Sequence, residues 1–541
     1  MATRGFTLNG EVLHRDKRVE FSGTIWVRDT PWHLHIVYPD AFPSFPPHAL
    51  TDASNTVLPR HHNPRWKALC LFGPMQIRWT AMRSGADAVG EAEDVITAFA
   101  NGNVVPEDTV PEPVTAAYNY ALDAAIVVPP SLATPLIPAE KAVTIGAFKI
   151  RFQRQVTPGV AAPFPGRGIV LETTIAGTKI GADESYKDWC KKEQGEPPKS
   201  GPLILLHEPP PYMETAADFD AWLDNLSVPS QARREWTACV FPEQMGVATN
   251  QRLAWLVVYR GRRGDTYFIR TFPLRPDEWT TRIPGMDGLA AKRVVVVGCG
   301  SVGSKIAVGL ASTGVTKFSL IDSDVMEPYN SVRHEIGVGQ YGAYKVVALA
   351  ARIADMNPQA AVNTKGSVLH IGGINEQDAE KALFEFVSEA DLVVETTGVH
   401  AVSRFINDIC HDVKVPSLYA TVTNGAWGGE VVRVIPGETA CWNCWYQQYE
   451  NDKPPAAPTD AIFAPGCDQP TFTGTTYDVG LLANIATSMV VETLLRHDAN
   501  RHDVDGDYIR WSGRNADGSH CLRADMLGVR RRDICPLCDT P

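Results

Sequence analysis

The chain has 541 residues, enough for about three or four domains. Hydrophobic residues make up 44% and charged residues 21%, which excludes a chain disordered throughout. Lys plus Arg is 50 against 62 Asp plus Glu, a net charge of −12 that argues against direct nucleic-acid binding driven by phosphate contacts. No apolar run reaches the roughly 18 residues a membrane helix needs, and Met1–Phe6 lacks the apolar core of a secretion signal. With 11 cysteines, an odd number, several within apolar runs, the expected setting is a reducing cytoplasm with thiols kept for metal or catalysis.

Residues 1–104 are rich in Trp, His and Pro. Strand-like runs cover Gly5–Leu13, Val19–Val27 and Trp32–Val37, and a helix is expected over Asp87–Asn101. Between them stand Tyr38-Pro39, Pro43, Pro46-Pro47, then His61-His62-Asn63, then Cys70 between Leu69 and Leu71, then Trp79. Residues 105–142 are Pro/Ala-rich and read as a loop or linker with one short helix around Ala116–Ile126. The 143–285 segment carries strand-like runs at Ala147–Gln153, Pro202–His207, Leu253–Arg260 and Thr266–Pro273. It has one expected helix, Thr215–Leu226, and no chemical motif.

From residue 290 the pattern alternates strand and helix. The valine run Arg293–Val297 marks a buried parallel strand. It enters Gly298-Cys299-Gly300-Ser301-Val302-Gly303, followed by a helical pattern at Ser304–Ser312 and a strand at Thr316–Ile321. In that context a GxGxxG turn lets phosphate approach the backbone and meet free N–H groups at a helix start. Asp322 follows 19 residues after Gly303, where a carboxylate can take a ribose hydroxyl. Asn330, Arg333 and Lys345 come next, and cations gathered just beyond the ribose acid suit a triphosphate. Two CxxC pairs, Cys441/Cys444 and Cys535/Cys538, have 90 residues between them and together offer a four-cysteine zinc site. Cys467 lies alone before an apolar helical run, Tyr477–Leu495, a setting in which a thiol is exposed and activated.

The glycine loop, 321–334 and 342–358 together resemble the ThiF/MoeB/ubiquitin-activating adenylation family over about 250 residues. The resemblance implies a Rossmann-like α/β domain at 286–541 that binds ATP and Mg²⁺ and activates a C-terminal carboxylate as an acyl-adenylate. It implies that Asp322 holds the ribose, that Asn330, Arg333 and Lys345 contact phosphates, and that Cys467 forms a thioester. The family's Mg²⁺-binding Asp aligns here with Gly398, leaving Asp324 or Glu395 for the metal.

The N-terminal order of strands, proline turn, His-x-Asn, Cys and Trp resembles a ubiquitin-conjugating α+β domain at 1–104. That resemblance gives Cys70 a thioester, Asn63 an oxyanion contact and His61 a loop-shaping role. The combination resembles the fused activating–conjugating proteins of bacterial CBASS anti-phage operons. It implies a degenerate adenylation-like middle domain at 143–285, a homodimer, and as substrate the C-terminus of a cGAS/DncV-like nucleotidyltransferase or a ubiquitin-like protein, passed to a target amine. A sulfur-carrier activator, a non-enzymatic scaffold and, more distantly, an NAD-linked oxidoreductase are the alternatives. The final residues are not a Gly-Gly tail, so self-modification is not expected.

Overall fold

A computed structural model of the protein describes residues 1–541 except 11, 14–16, 53–54, 56, 59, 64, 105–112, 135–142, 155–164, 184–196, 227, 229–234, 245–250, 262–264, 276–282, 365–367, 372–376, 459–471, 499–505 and 539–541. The chain divides into two units, Met1–Arg275 and Pro276–Pro541.

The first unit begins with an antiparallel sheet of β1 (Thr7–Leu8), β2 (Glu20–Val27), β3 (Thr30–Val37), β4 (His48–Thr51), β5 (His62–Asn63) and β6 (Ala68–Leu69), in the order β1-β2-β3-β4-β6-β5. The run expected at Gly5–Leu13 pairs over only two residues, Thr7 and Leu8. Helix α1 (Gly85–Asn101) covers the sheet. Its entry is fixed by a capping box, in which the Asp87 carboxylate accepts from both the Ser84 backbone N–H and its hydroxyl. Ala88, Val89, Ala92 and Ile96 recur at helical spacing and pack on Leu34, Ile36 and Phe72.

The rest of the unit contains β7 (Tyr120–Val128), α2 (Pro130–Ala133), β8 (Thr144–Arg154), β9 (Gly166–Ile175), β10 (Thr178–Gly181), β11 (Lys199–Leu205), α3 (Ala216–Asn225), β12 (Trp236–Gln244), β13 (Gln251–Arg260) and β14 (Thr266–Pro273). Strand β8 pairs with both β9 and β11, so the order β9-β7-β14-β13-β12-β11-β8 closes on itself as a seven-stranded barrel, with β10 paired along β9. One expectation fails here. The short helix around Ala116–Ile126 is instead strand β7, whose burial alternates with period two, so part of the Pro/Ala-rich stretch belongs to the barrel. Most strand pairs of the 143–285 segment are antiparallel, without the strand–helix alternation of a parallel sheet.

Strand alternation builds two cores in this barrel. Leu203, Leu205, Ala238, Val240, Trp255 and Val257 fill one face. Their neighbours Ile204, Cys239, Phe241, Leu256 and Val258 meet Phe219 and Leu223 of α3 on the other. The expected Thr215–Leu226 helix is present, with Thr215 as its capping residue.

The second unit holds β15 (Arg293–Val297), α4 (Ser301–Ser312), β16 (Lys317–Ile321), α5 (Lys345–Met356), β17 (Ala361–Asn363), α6 (Gln377–Ser388), β18 (Leu392–Glu395), α7 (His400–Val413), β19 (Ser417–Val422), β20 (Gly428–Val434), α8 (Trp442–Tyr449), α9 (Thr476–Leu494), β21 (Tyr508–Arg514) and β22 (His520–Leu527). Sheet order is β17-β16-β15-β18-β19-β20-β21-β22, parallel through β19 and antiparallel after it. Val294 and Val296 face α4 and α9, while Val295 and Val297 face α6 and α7. Burial on both faces explains the unbroken valines. The chain runs outward from β15 to β16 and β17 and then crosses back to β18 on the other side of β15, so a switch crevice opens at the strands' carboxyl ends. Among the described residues, no helix is long and apolar enough to cross a membrane.

Trp255 is 1% exposed and central to the barrel packing. Its replacement by Ala should lower the stability of the first unit by about 3–5 kcal/mol, read as a shift of that unit's transition in urea unfolding.

Candidate functional sites

The glycine loop leaves β15 at the switch crevice and turns directly into α4. Gly298 has φ +89°, and a Cβ there would lie 2.9 Å from the Thr397 nitrogen. A Cβ on Gly303 would sit 1.9 Å from the Gly298 carbonyl oxygen, so helix and turn meet only because both side chains are absent. The helix begins at Ser301, three residues before the expected start, with no side chain capping it. Its first-turn N–H groups are thus open to an anion.

Neighbouring loops hold this turn from three sides. Thr396 Oγ1 donates to the Gly298 carbonyl at 2.7 Å. His334 Nε2 lies 2.6 Å from the Cys299 carbonyl, and the Ile336 N–H meets His334 Nδ1, so Nε2 carries the hydrogen. Asp322 accepts from the Cys299 N–H at 2.7 Å and the Asp324 N–H at 2.8 Å, and burial raises its pKa. A cleft of about 280 Å³ opens above the loop, lined by Gly300, Asn330, Arg333, Lys345, Thr397 and Phe472 among others. The structure therefore brings Asn330, Arg333 and Lys345 together around one cleft. Arg333 lies over the Phe472 ring at 5.3 Å, and burial lowers its pKa. Lys345 opens α5 and pairs with Asp324 at 2.7 Å.

Glu395 is unsuited to hold a metal. It is fully buried, with one carboxylate oxygen accepting from Thr397 and the other from the Ser403 hydroxyl at 2.6 Å. A ligand role would break that network at the root of β18. Asp324 is exposed and ion-pairs with Lys345, which lines the cleft. Gly398, where the family's acid aligns, takes φ +71° with open space around it. Thr396 and His334 escaped the sequence reading, and the Thr-Thr-Gly turn after β18 was the available signal.

The CxxC pairs converge. Cys441 Sγ lies 3.7 Å from Cys444 Sγ and 3.6 Å from Cys535 Sγ, and Cys444 Sγ lies 3.8 Å from Cys538 Sγ. A tetrahedron with metal–sulfur bonds of about 2.3 Å has edges of about 3.8 Å, so the donor set fits zinc. The Cys441 N–H points at Cys538 Sγ (3.3 Å) and the Arg532 N–H at Cys444 Sγ (3.4 Å), dipoles that suit thiolates. Cys467 lies outside the described residues.

In the first unit Cys70 is exposed between buried Leu69 and Leu71, so it is not a core cysteine. Its N–H donates to the His61 carbonyl at 2.8 Å, and His61 takes φ +57° to make that turn. Asn63 Oδ1 accepts from the N–H groups of Arg65 and Trp66, both at 3.0 Å, leaving its Nδ2 amide as the end available to donate. A cleft of about 740 Å³ is lined by Cys70, His61, Asn63, Met75 and Phe99 among others. The Trp79 indole N–H donates to the Pro43 carbonyl at 2.8 Å, joining the proline turn to the loop beyond the cysteine. Below the cleft His62 is buried, bonded to Thr51 Oγ1 and the Leu58 N–H.

After incubation with zinc, wild type should retain the metal and Cys535→Ser should not, with a lower melting temperature for the variant, checked by metal analysis and calorimetry against chelator-treated wild type. At the other site, burial lowers the His62 pKa to about 4 from its ordinary 6.5. As pH falls through that window the unfolded chain binds the proton first, so the first unit should lose up to about 3 kcal/mol. Chemical denaturation at pH 7 and pH 5 should show a smaller loss for His62→Gln than for wild type.

Residues 279–520 match the ThiF family. Among curated proteins, y4oA of Sinorhizobium fredii is 27% identical over 468 residues, 78% of this chain and 76% of that protein. The ATP-dependent ubiquitin transferase-like protein Cap2 of Vibrio cholerae is 29% identical over 169 residues, 30% of this chain and 27% of its own length. Among solved structures, E. coli MccB with ATP aligns at 19% identity and TM-score 0.35, covering 47% of this chain and 68% of that one. The match to the ThiF family model lies within the second unit and includes the glycine loop at the switch crevice.

Proposed function

We propose that this chain activates the C-terminal carboxylate of a partner protein with ATP and ligates it to an amine through two successive thioesters. The observation that carries the reading is the uncapped start of α4 facing Asn330, Arg333 and Lys345 across one cleft, inside a segment that matches ThiF. ATP lies over Gly298–Gly303 with its ribose at Asp322. The partner's carboxylate attacks the α-phosphate, and the negative charge leaving on pyrophosphate is met by Arg333 and Lys345. Lys345 gives up Asp324 in that step, which frees the Asp324 carboxylate toward Mg²⁺; the ion supplies further charge neutralisation when bound.

Cys467 thiolate then attacks the acyl carbon and AMP leaves. Cys70 takes the acyl group by thioester exchange, and an amine attacks it while the Asn63 amide meets the oxyanion. Zinc on Cys441, Cys444, Cys535 and Cys538 is structural. The exposed apolar side chains Tyr329, Val332, Val338, Tyr344 and Val347, on the loops and helix beside the nucleotide cleft, supply a face for a homodimer. A cytoplasmic role in anti-phage defence, on a cGAS/DncV-like nucleotidyltransferase or a ubiquitin-like protein, is the setting this reading favours.

ATP–pyrophosphate exchange in the presence of the partner tests the first step. Arg333→Ala should reduce exchange by about 10²-fold or more. Cys467→Ala should keep exchange and lose the thioester, while Cys70→Ala should keep a Cys467 adduct and lose the conjugate. Wild-type exchange in Arg333→Ala, or conjugate from Cys70→Ala, would overturn the scheme.

A further inference from the structure

Cys70 also lines a second, smaller cleft of about 250 Å³. One wall belongs to the N-terminal sheet and its loops, with Leu58, His62, Asn63 and Cys70. The other comes from the barrel, with Val114 ahead of β7 and Tyr212 between β11 and α3. The motif-poor middle segment therefore reaches the thiol that the N-terminal motif singles out.

Tyr212 is held rigidly. It follows Pro209-Pro210-Pro211, and the Pro211 carbonyl accepts from the Tyr118 hydroxyl at 2.9 Å. Tyr118 is itself fixed in the barrel core, 4.8 Å from the Phe268 ring and 5.9 Å from the Tyr212 ring. The Tyr212 hydroxyl is shut off from water and, among the described residues, has no hydrogen-bond partner. Burial raises its pKa, so it keeps its proton, and it lies within electrostatic reach of Arg65, two residues beyond Asn63. A buried donor left unmade is costly, and phenylalanine would fill the same space without that cost.

We infer that Tyr212 belongs to the Cys70 site and donates its hydroxyl hydrogen to the carbonyl oxygen of an acyl group carried on Cys70 Sγ, alongside the Asn63 amide. The inference rests on Cys70 being an acyl carrier. When an amine attacks that carbonyl carbon, the C–N bond forms and the oxygen gains the electron pair that Tyr212 and Asn63 meet. The C–S bond then breaks, the pair returns to the carbonyl, sulfur leaves as thiolate, and the amine's proton passes to that thiolate or to water. Two fixed donors at one oxygen are the arrangement that stabilises such a charge. The barrel thereby completes a site that the N-terminal sheet alone leaves half built.

The test uses the full chain carrying Cys467→Ala and Cys521→Ala and a short glycine-terminated peptide thioester, which loads Cys70 by exchange without ATP or the partner. Mass spectrometry locates the adduct, excess lysine is added, and its loss is followed in a single turnover. Tyr212→Phe should slow discharge by about tenfold or more, equally at pH 7 and pH 8.5, because the phenol donates without titrating. Loading and alkylation of Cys70 by iodoacetamide should stay unchanged, which separates this role from a packing role. Discharge of Tyr212→Phe within about twofold of the parent overturns the inference alone. A parent chain whose Cys70 is not loaded, or discharges no faster than the free peptide thioester, overturns the reading of Cys70 and the inference with it.

Discussion

The contact between Gly303 and the Gly298 carbonyl is the constraint on which the second unit depends. Any side chain on Gly303 would occupy the position of that oxygen. Its absence lets α4 start directly at the end of β15, so the helix's free N–H groups open into the crevice rather than into solvent beside it. The loops of Thr396, His334 and Asp322 then close on the turn with short hydrogen bonds. Two of those loops also deliver cleft residues, Thr397 from the first and Asn330 and Arg333 from the second. One steric allowance therefore organises both the anion end and the cations around the cleft.

The first unit reaches a comparable result by other means. Its cysteine is presented by short β-pairing between β5 and β6 and by a left-handed residue at His61, not by a helix start. The backbone N–H groups of Arg65 and Trp66 orient the Asn63 amide, while buried His62 holds the floor. Polar groups that chemistry needs at the surface are thus fixed by polar groups beneath them, which is how a loop gains precision.

Much of the second unit was legible beforehand, because buried parallel strands and glycine turns impose strong local patterns. The valine run, the glycine loop and the distant CxxC pairs all stand where that logic puts them. The barrel was hidden for a physical reason. Closure is a property of which strands pair, and the alternation along β7 in a Pro/Ala-rich stretch was weak enough to read as a helix. Glu395 misled in a similar way. Its charge suggested a ligand, but only the fold reveals that Thr397 and Ser403 consume its oxygens. Tyr212 carries no motif, since its importance comes from a cleft assembled by segments far apart in the chain.

The four-thiol cluster bears on the unfolded chain as well as the folded one. Cys444 and Cys535 are 91 residues apart (535 − 444), so a metal held by both pairs closes a long loop. By the chain-entropy relation for cross-links, closing a loop of that length removes conformational freedom worth about 4–5 kcal/mol from the denatured ensemble. The enclosed segment contains α9, the last two strands and Cys467. A metal held by all four thiols would tether both ends of the segment that carries Cys467 at a distance from the cysteine itself.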